Sequence, residues 1–365
     1  MNLEEIVNSI EPADQQILGQ AQEHTSRLVM PPRALGRLNE IGERICAIQR
    51  TLKPSVKSKA ILVMAGDHGI VAQGVSAFPQ EVTGEMVKTF LSGGAGINVL
   101  ARQTGASVYV VDMGIIPDVV HHTGSSDTKG AGPGAEKKLI IRKIARGTKD
   151  FTHGPAMTKE EALKSIESGY EVASRLVQEG VELLGTGDMG IGNTTPSSAV
   201  GAVITGQSAK EMTGRGTGVD DETFARKSDI IESGISINAP DPKDAIDILS
   251  KVGGFEIGGT AGAILAAARF RKPVVIDGLI STAGALIAYT LCPAVADYMF
   301  AGHRSVEQGH RIMLEHIGLE PLLDLGMRLG EGTGGALAMH IIEAGVRVFR
   351  EVATFDEAGV SESVA

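Results

Sequence analysis

The sequence predicts a parallel α/β fold with a small helical cap. Short apolar runs alternate along the chain with longer segments of helical periodicity, a pattern typical of βαβ units. Most of these runs end in Asp, Gly or both, and ligands of open parallel sheets collect at the carboxyl ends of the strands. We therefore expect one functional rim at that edge of the sheet, although the residues alone do not give the strand order.

The predicted strands are residues 60–64, 108–111, 181–184, 273–276 and 298–301. The polar side chains that follow them and could share the rim are Asp67, His68, Asp112, Asp188, Asp277 and Ser305. An apolar stretch, 281–300, precedes the end of the last strand. Pro293 and Asp297 interrupt it, which favours a buried helix followed by a buried strand over a membrane span.

The predicted helices are residues 81–103, 159–179, 220–236, 242–251, 257–270, 282–291, 306–316 and 336–352. The first thirty residues also look helical, and with the C-terminal helix they form the expected cap. This gives an approximate core of residues 36–330 and a cap of residues 1–35 plus 331–355. Residues 116–155 are predicted to be a surface excursion, in which solvation of His121 and His122 is favoured over a metal site.

Composition and charge exclude several functional classes. The 365 residues carry a formal net charge of −10 without a long basic run, which argues against a nucleic-acid partner. Cys46 and Cys292 lie far apart in apolar contexts, so they indicate neither a metal site nor a disulfide framework. Together with an acidic N-terminal segment that does not resemble a signal peptide, they predict a soluble cytoplasmic protein.

Near the C-terminus, Glu331 stands among glycines immediately before an apolar helix. Glycines allow unusual backbone conformations and close approach of a ligand. A carboxylate at a helix N-terminus is favoured in its ionised form, and in a pocket it suits a general base. The alternative is a first-turn glutamate that merely suits the helix dipole. On this motif alone the two interpretations are about equally supported.

Two further glycine-rich stretches favour the functional interpretation. Residues 185–195 follow a predicted strand and read GTGDMGIGNTT, and residues 214–218 read GRGTG before another helix. Such turns can direct backbone N–H groups at an anion, although tight packing also requires glycine. The first stretch is neither a Walker A loop nor a dinucleotide fingerprint. The three stretches together suggest a site that holds a phosphate and a sugar.

These motifs, in this order, resemble the nicotinate-nucleotide:dimethylbenzimidazole phosphoribosyltransferases, a family of cobalamin biosynthesis. The matching segments run through nearly the whole chain and are residues 31–38, 64–70, 75–83, 94–98, 154–158, 187–195, 214–218, 253–257, 276–278, 302–305 and 329–334. Their order and spacing together are specific. One departure is Asp188, where the family often has Glu.

The resemblance implies a Rossmann-like homodimer that needs no cofactor or metal. It implies transfer of 5-phosphoribose from nicotinate mononucleotide to 5,6-dimethylbenzimidazole, which releases nicotinate and gives α-ribazole 5′-phosphate with inversion at C1. Glu331 would be the catalytic base, and Leu329 would touch the incoming base. The other expected substrate-binding residues, from the resemblance or from the rim, are Asp188, Met189, Gly190, Gly216, Lys227, Asp277, Ser305, Ser76 and Glu85.

Plainer interpretations exist for several of these residues. Asp67 and His68 could be a catalytic dyad or a metal pair, but a hydrogen-bonded turn is favoured. Lys227 on a helix would ordinarily be a solvated lysine, and Ser305 could be a helix N-cap. For the whole chain, the rivals are a non-catalytic nucleotide sensor and a nucleosidase that uses water as acceptor. The transferase itself could use dimethylbenzimidazole or a related acceptor such as a purine, a benzimidazole or a phenol.

Overall fold

The fold is built around one parallel sheet of six strands. A computed structural model describes residues 2–119, 139–214 and 221–361. The strand order is β3-β2-β1-β4-β5-β6, which is the doubly wound Rossmann order. The strands are β1 (Lys59–Gly66), β2 (Ala106–Gly114), β3 (Leu139–Ile141), β4 (Leu183–Met189), β5 (Val274–Ile276) and β6 (Met299–Ala301). The predicted fold class is therefore confirmed. The strand order reverses between β1 and β4, which makes this position the topological switch point of the sheet.

The helices lie between and around these strands. They are α1 (Leu3–Asn8), α2 (Gln15–Ser26), α3 (Arg37–Gln49), α4 (Val82–Ser92), α5 (Gly96–Thr104), α6 (Lys159–Gln178), α7 (Thr194–Thr205), α8 (Ala209–Met212), α9 (Asp221–Asn238), α10 (Ala245–Val252), α11 (Phe255–Arg269), α12 (Leu279–Leu291), α13 (Gln308–Ile317), α14 (Thr333–Glu351) and α15 (Phe355–Ala358). No helix within the described ranges has the length and hydropathy needed to cross a membrane.

Two sequence predictions are wrong in detail. The single helix expected over 81–103 is two helices, because α4 ends at Gly93, which adopts φ +81°. The expected surface excursion of 116–155 contains β3, which pairs with β2, and the buried side chains of Ile140 and Phe151. The pair His121 and His122 lies outside the described residues.

The division into a core and a cap stays a prediction. Helix α14, which the sequence assigns to the cap, packs on β4 and β5 as well as on α3 and α5. Its first turn therefore begins directly against the central strands of the sheet. This placement brings the glycine-framed Glu331 to the carboxyl end of β4.

Helices α6 and α11 cross with their backbones in contact. A Cβ atom added to Gly169 would overlap the carbonyl group of Gly259, and one added to Gly262 would overlap the carbonyl oxygen of Ile166. Only glycine allows this approach, because main-chain atoms cannot move aside as a flexible side chain can. The crossing fixes α11, whose N-terminus lies beside the end of β1.

We expect Gly169→Ala to lower the free energy of unfolding by about 1–3 kcal/mol or more, because the added methyl group overpacks this crossing. Chemical denaturation measures the change. The matched control is Gly19→Ala, on α2, where an added Cβ meets no atom within 4 Å. That substitution should leave stability unchanged or raise it by up to about 1 kcal/mol, since alanine is the better helix former. Equal effects of the two substitutions would contradict the packing explanation.

Candidate active site

A cavity of about 740 Å³ lies beyond the carboxyl ends of β4, β5 and β6. Most of its wall is apolar, and the residues that give it this character are Phe78, Val82, Met86, Met189, Ile191, Leu279, Ile280, Met327 and Leu329. The polar residues of the wall are Asp188, Asn193, Thr194, His303, Ser305, Glu307, Arg328 and Glu331. A largely apolar pocket with a few convergent polar groups is typical of a site for a small organic ligand.

Glu331 reaches this cavity through an unusual backbone. Gly330, Glu331 and Gly332 adopt φ angles of +83°, +62° and +92°, so the glutamate itself lies in the left-handed region. A left-handed non-glycine residue carries strain of the order of 1–3 kcal/mol, and such strain concentrates at functional sites. The opposing residue of β4 is Gly187, where any Cβ would collide with the carbonyl group of Glu331. The two glycine motifs seen in the sequence thus meet backbone to backbone.

The carboxyl group of Glu331 lies at the N-terminus of α5, not of the helix that follows it. Its Oε2 atom accepts a hydrogen bond of 3.0 Å from the backbone N–H of Ile97. The side chain is only 6% exposed. This contact anchors one oxygen of the carboxyl group and leaves Oε1 for a ligand in the cavity.

The expectation that the dipole of α14 favours ionised Glu331 is therefore wrong. Burial raises the pKa of Glu331 above its usual range, the bond from Ile97 opposes that effect, and the charge of Asp277 adds to it. A carboxylate with a raised pKa is a stronger base than a solvated one. The environment thus strengthens the basicity of Glu331.

Asp277 caps the helix that carries this motif. Its Oδ2 atom accepts from the N–H of Gly332 at 3.0 Å, and its Oδ1 atom accepts from the N–H of Gly335 at 2.9 Å. Its side chain is fully buried, with His303 Nε2 at 3.7 Å from Oδ1. These bonds satisfy free N–H groups of the first turn of α14. They hold the backbone of the Glu331 motif, while a direct contact of Asp277 with substrate stays a prediction.

Asp188, the penultimate residue of β4, faces the same region. Its Oδ2 atom accepts from Asn193 Nδ2 at 3.0 Å. Burial, reinforced by the charge of Asp277, raises the pKa of Asp188 to about 8. The carboxyl group is therefore largely protonated at neutral pH and can donate a hydrogen bond. The sequence indicated this acid but not its protonation.

We expect Asp188→Asn to stabilise the protein near pH 8 by up to a few kcal/mol, since each unit of pKa shift corresponds to about 1.4 kcal/mol. An aspartate in the unfolded chain ionises near pH 4, whereas the folded protein keeps Asp188 protonated to about pH 8. Wild-type stability is therefore lost as the pH rises between these values, and the neutral amide avoids that loss. Urea denaturation at pH 4 and pH 8 should show a stabilisation that grows with pH. A difference independent of pH would contradict the assigned pKa.

Lys227 is buried, contrary to the solvated alternative. It is 1% exposed, and its Nζ atom donates to Thr194 Oγ1 at 2.6 Å. Burial lowers the pKa of Lys227 to about 8, although Glu307 opposes the shift. Thr194 is the first residue of α7 and lines the cavity. A buried lysine behind a cavity-lining hydroxyl suits the recognition of an anion.

Ser305 lies in the loop between β6 and α13 and lines the same cavity as Thr194. Its Oγ atom accepts a hydrogen bond of 3.3 Å from the N–H of Glu307. The N-cap of α13 is Glu307 rather than Ser305, so the plain capping alternative for the serine is wrong.

The remaining predicted site residues fall into three groups. Met189, Gly190 and Leu329 line the cavity, and the Leu329 side chain is 60% exposed at its mouth.

Ser76 and Glu85 do not line the cavity. Ser76 Oγ accepts from the N–H of Phe78, and Glu85 borders a separate depression beside Asp67. From this acceptor loop the cavity instead receives Phe78, Val82 and Met86. Gly216 lies outside the described residues.

The predicted glycine turn after β4 is shorter than expected. Strand β4 continues to Met189, and α7 begins at Thr194, so the turn comprises only residues 190–193. Gly185 and Gly187 belong to the strand, where they permit close packing rather than a turn. The suggested contact of this turn with an anion stays a prediction.

Asp67 and His68 have separate partners and form no dyad. Asp67 Oδ2 accepts from the N–H of Ile116 at 2.8 Å, which supports the turn interpretation. The Nε2 atom of His68 lies 3.1 Å from Glu256 Oε1, in a pair that is almost wholly buried beneath Gly190. Burial lowers the pKa of His68, but the carboxylate of Glu256 outweighs it and raises the pKa overall. No sequence pattern pairs Glu256 with His68, because Glu256 follows a distant loop.

Known proteins resemble this chain along almost its whole length. A family profile described as a phosphoribosyltransferase matches residues 10–360. The chain belongs to this phosphoribosyltransferase family. It is 54% identical over 360 residues to the nicotinate-nucleotide–dimethylbenzimidazole phosphoribosyltransferase of Geobacter sulfurreducens, covering 99% of this chain and 98% of the relative. It is 52% identical over 349 residues to the enzyme of that name from Dehalococcoides mccartyi, covering 96% and 95% of the two chains.

The fold agrees with a solved member of the family. The crystal structure of the nicotinate-nucleotide–dimethylbenzimidazole phosphoribosyltransferase from Thermus thermophilus matches with a TM-score of 0.87 at 41% identity. The match covers 96% of this chain and 100% of the other. This phosphoribosyltransferase thus shares both sequence and architecture with relatives of one name along almost its full length.

Proposed function

We propose that this phosphoribosyltransferase transfers the 5-phosphoribosyl group of nicotinate mononucleotide to 5,6-dimethylbenzimidazole. The products are α-ribazole 5′-phosphate and nicotinate. The observation that carries this proposal is the carboxyl group of Glu331, buried and anchored by Ile97 in the wall of a largely apolar cavity. The names of the full-length relatives support the choice of substrates.

The chemistry is one displacement at C1 of the ribose. The lone pair of one benzimidazole nitrogen forms a bond to C1 while the bond to the nicotinate nitrogen breaks. The electron pair of that bond neutralises the pyridinium ring, and nicotinate leaves. Glu331 removes the proton from the other benzimidazole nitrogen, so that the product is not a cation. Attack on the face opposite the leaving group inverts C1 and gives the α-nucleotide.

The cavity offers different walls to the two substrates. The side chains of Phe78, Met86, Met189 and Leu329 form an apolar surface that suits a planar benzimidazole. The cationic Lys227, together with Thr194 and Ser305, suits the phosphate of the nucleotide. Holding both substrates in line converts the reaction into an effectively unimolecular step, which supplies much of the acceleration.

The test is the release of nicotinate from nicotinate mononucleotide, measured with and without dimethylbenzimidazole and followed by identification of the product. Release that depends on the acceptor and yields α-ribazole 5′-phosphate is the expected result. Release without acceptor would instead identify a nucleosidase. Tight nucleotide binding without release would favour a sensor and would contradict the proposal.

We further propose that the active protein is a cytoplasmic homodimer. Phe78 and Leu329, which line the cavity, are 49% and 60% exposed, and Val306, next in the chain to the cavity-lining Ser305, is 56% exposed. Exposed apolar groups of this kind are often covered in an assembly. Both cysteines are free and buried, as suits a reducing compartment. Light scattering coupled to size-exclusion chromatography would give the mass of the assembly.

A further inference from the structure

A buried histidine lies directly behind Ser305. His310 is in the first turn of α13 and is 0% exposed. Its Nδ1 atom accepts a hydrogen bond of 3.1 Å from the backbone N–H of Ser305. His310 therefore accepts a hydrogen bond from the main chain of a loop that lines the cavity.

This bond determines the state of the imidazole ring. A nitrogen that accepts a hydrogen bond carries no proton, so the proton of neutral His310 is on Nε2. Burial, with the neighbouring His303, lowers the pKa of His310 to about 3, so the ring stays neutral at physiological pH. Nδ1 therefore remains a hydrogen-bond acceptor at physiological pH.

The same contacts leave one polar hydrogen of Ser305 for a ligand. Its N–H is taken by His310, and its Oγ atom accepts from the N–H of Glu307. The hydroxyl can still donate its own hydrogen, and Ser305 lines the cavity with Thr194, the partner of Lys227. A serine held in this way is a preorganised donor for an anion.

We propose that His310 is a positioning residue that holds Ser305 so that its hydroxyl donates to the phosphate of the bound nucleotide. This inference rests on the proposed function for the identity of the ligand. His310 does not touch the nucleotide itself. It acts through the main chain of Ser305.

A stabilising role explains His310 poorly. Among the described residues, no hydrogen-bond partner is found for His310 Nε2 or for either ring nitrogen of His303, and these atoms are buried. Buried polar atoms without partners cost stability. An apolar side chain of similar size would avoid the cost of the unpartnered Nε2 atom. We therefore infer that histidine is used at this position for its acceptor atom Nδ1, which takes the hydrogen bond from Ser305.

The test compares His310→Leu with His310→Asn. Leucine removes the acceptor, whereas the side-chain oxygen of asparagine can take the position of Nδ1. We expect His310→Leu to raise the Kd for nicotinate mononucleotide about tenfold, the effect of losing one buried hydrogen bond. His310→Asn should restore most of the affinity. The Kd for nicotinate riboside, which has no phosphate, should change little in either variant, and unfolding should confirm that both variants fold.

Two controls separate this role from a general disturbance of α13. His316→Leu removes an exposed histidine of the same helix and should leave the Kd unchanged. In a Ser305→Ala background, the His310→Leu substitution should lose most of its effect, because its target hydroxyl is absent. A full effect in that background would overturn the inference, and so would a wild-type Kd in His310→Leu.

The outcome for His310 is distinct from the outcome for the proposed function. The binding experiment needs no turnover, and inorganic phosphate serves as a second probe of the same subsite. If the wild-type protein binds the nucleotide but transfers nothing to dimethylbenzimidazole, the proposed function fails. In that case the Kd values of the His310 and Ser305 variants, measured singly and in combination, still test the role of His310.

Discussion

Glu331→Gln is expected to lower turnover by ~10²–10⁴-fold, the usual contribution of a general base. The amide keeps the shape of the side chain and can still accept from the N–H of Ile97, so the cavity should remain intact. The Kd for nicotinate mononucleotide should therefore change little. Steady-state rates and calorimetric titration measure the two quantities separately. A variant with near-normal turnover would exclude Glu331 as the base.

The matched control is Glu232→Gln, which neutralises an exposed glutamate on α9 and should not alter turnover. The pH dependence adds an independent check. Because burial raises the pKa of Glu331, the wild-type rate should fall as the pH decreases through a value above that of a solvated glutamate. This acidic limb should be absent from the residual activity of Glu331→Gln.

Lys227→Met should raise the KM for nicotinate mononucleotide by roughly 10–100-fold, because a charged hydrogen bond contributes about 1.5–3 kcal/mol. Methionine retains most of the volume but removes the cation that donates to Thr194. The free energy of unfolding should stay the same or rise, since a buried charge is removed. Kinetics with the nucleotide and with nicotinate riboside would localise the effect to the phosphate.

Lys210→Met, at an exposed lysine of α8, is the control for loss of one positive charge. It should leave the KM unchanged. An equal rise in the KM for the nucleotide and the riboside in Lys227→Met would contradict a phosphate contact. It would indicate instead that Lys227 supports the general shape of the cavity.

The parallel fold was predictable because its signals are local. The alternation of apolar runs and helical segments identified five of the six strands, although it ended β4 five residues too early. The missed strand, β3, has only three residues, and it follows a polar, glycine-rich segment. Its apolar residues gain stability from pairing with β2, a contact that periodicity cannot reveal. The break between α4 and α5 was missed because the residues on both sides of Gly93 and Gly94 have helical periodicity. This periodicity outweighed the two glycines as a signal for the end of a helix.

The site was predictable only in part, since its chemistry depends on contacts between distant segments. The glycine frame indicated that Glu331 is special, but the sequence suggested the dipole of α14 as its partner. The structure pairs its carboxyl group with Ile97 of α5 instead. Likewise, Asp188 was recognised as an acid, whereas its raised pKa follows from burial beside Asp277. Such partners become neighbours only when the sheet assembles.

The proposed role of Glu331 is to remove a proton from the attacking base, and this role is tested with an acceptor that lacks that proton. In 1,5,6-trimethylbenzimidazole one nitrogen is methylated, so its attack leaves no N–H proton for a base to remove. We expect the turnover of the wild-type protein to exceed that of Glu331→Gln by ~10²–10⁴-fold with dimethylbenzimidazole but by little with the methylated acceptor. An equally large difference with both acceptors would contradict the role of Glu331 as the base.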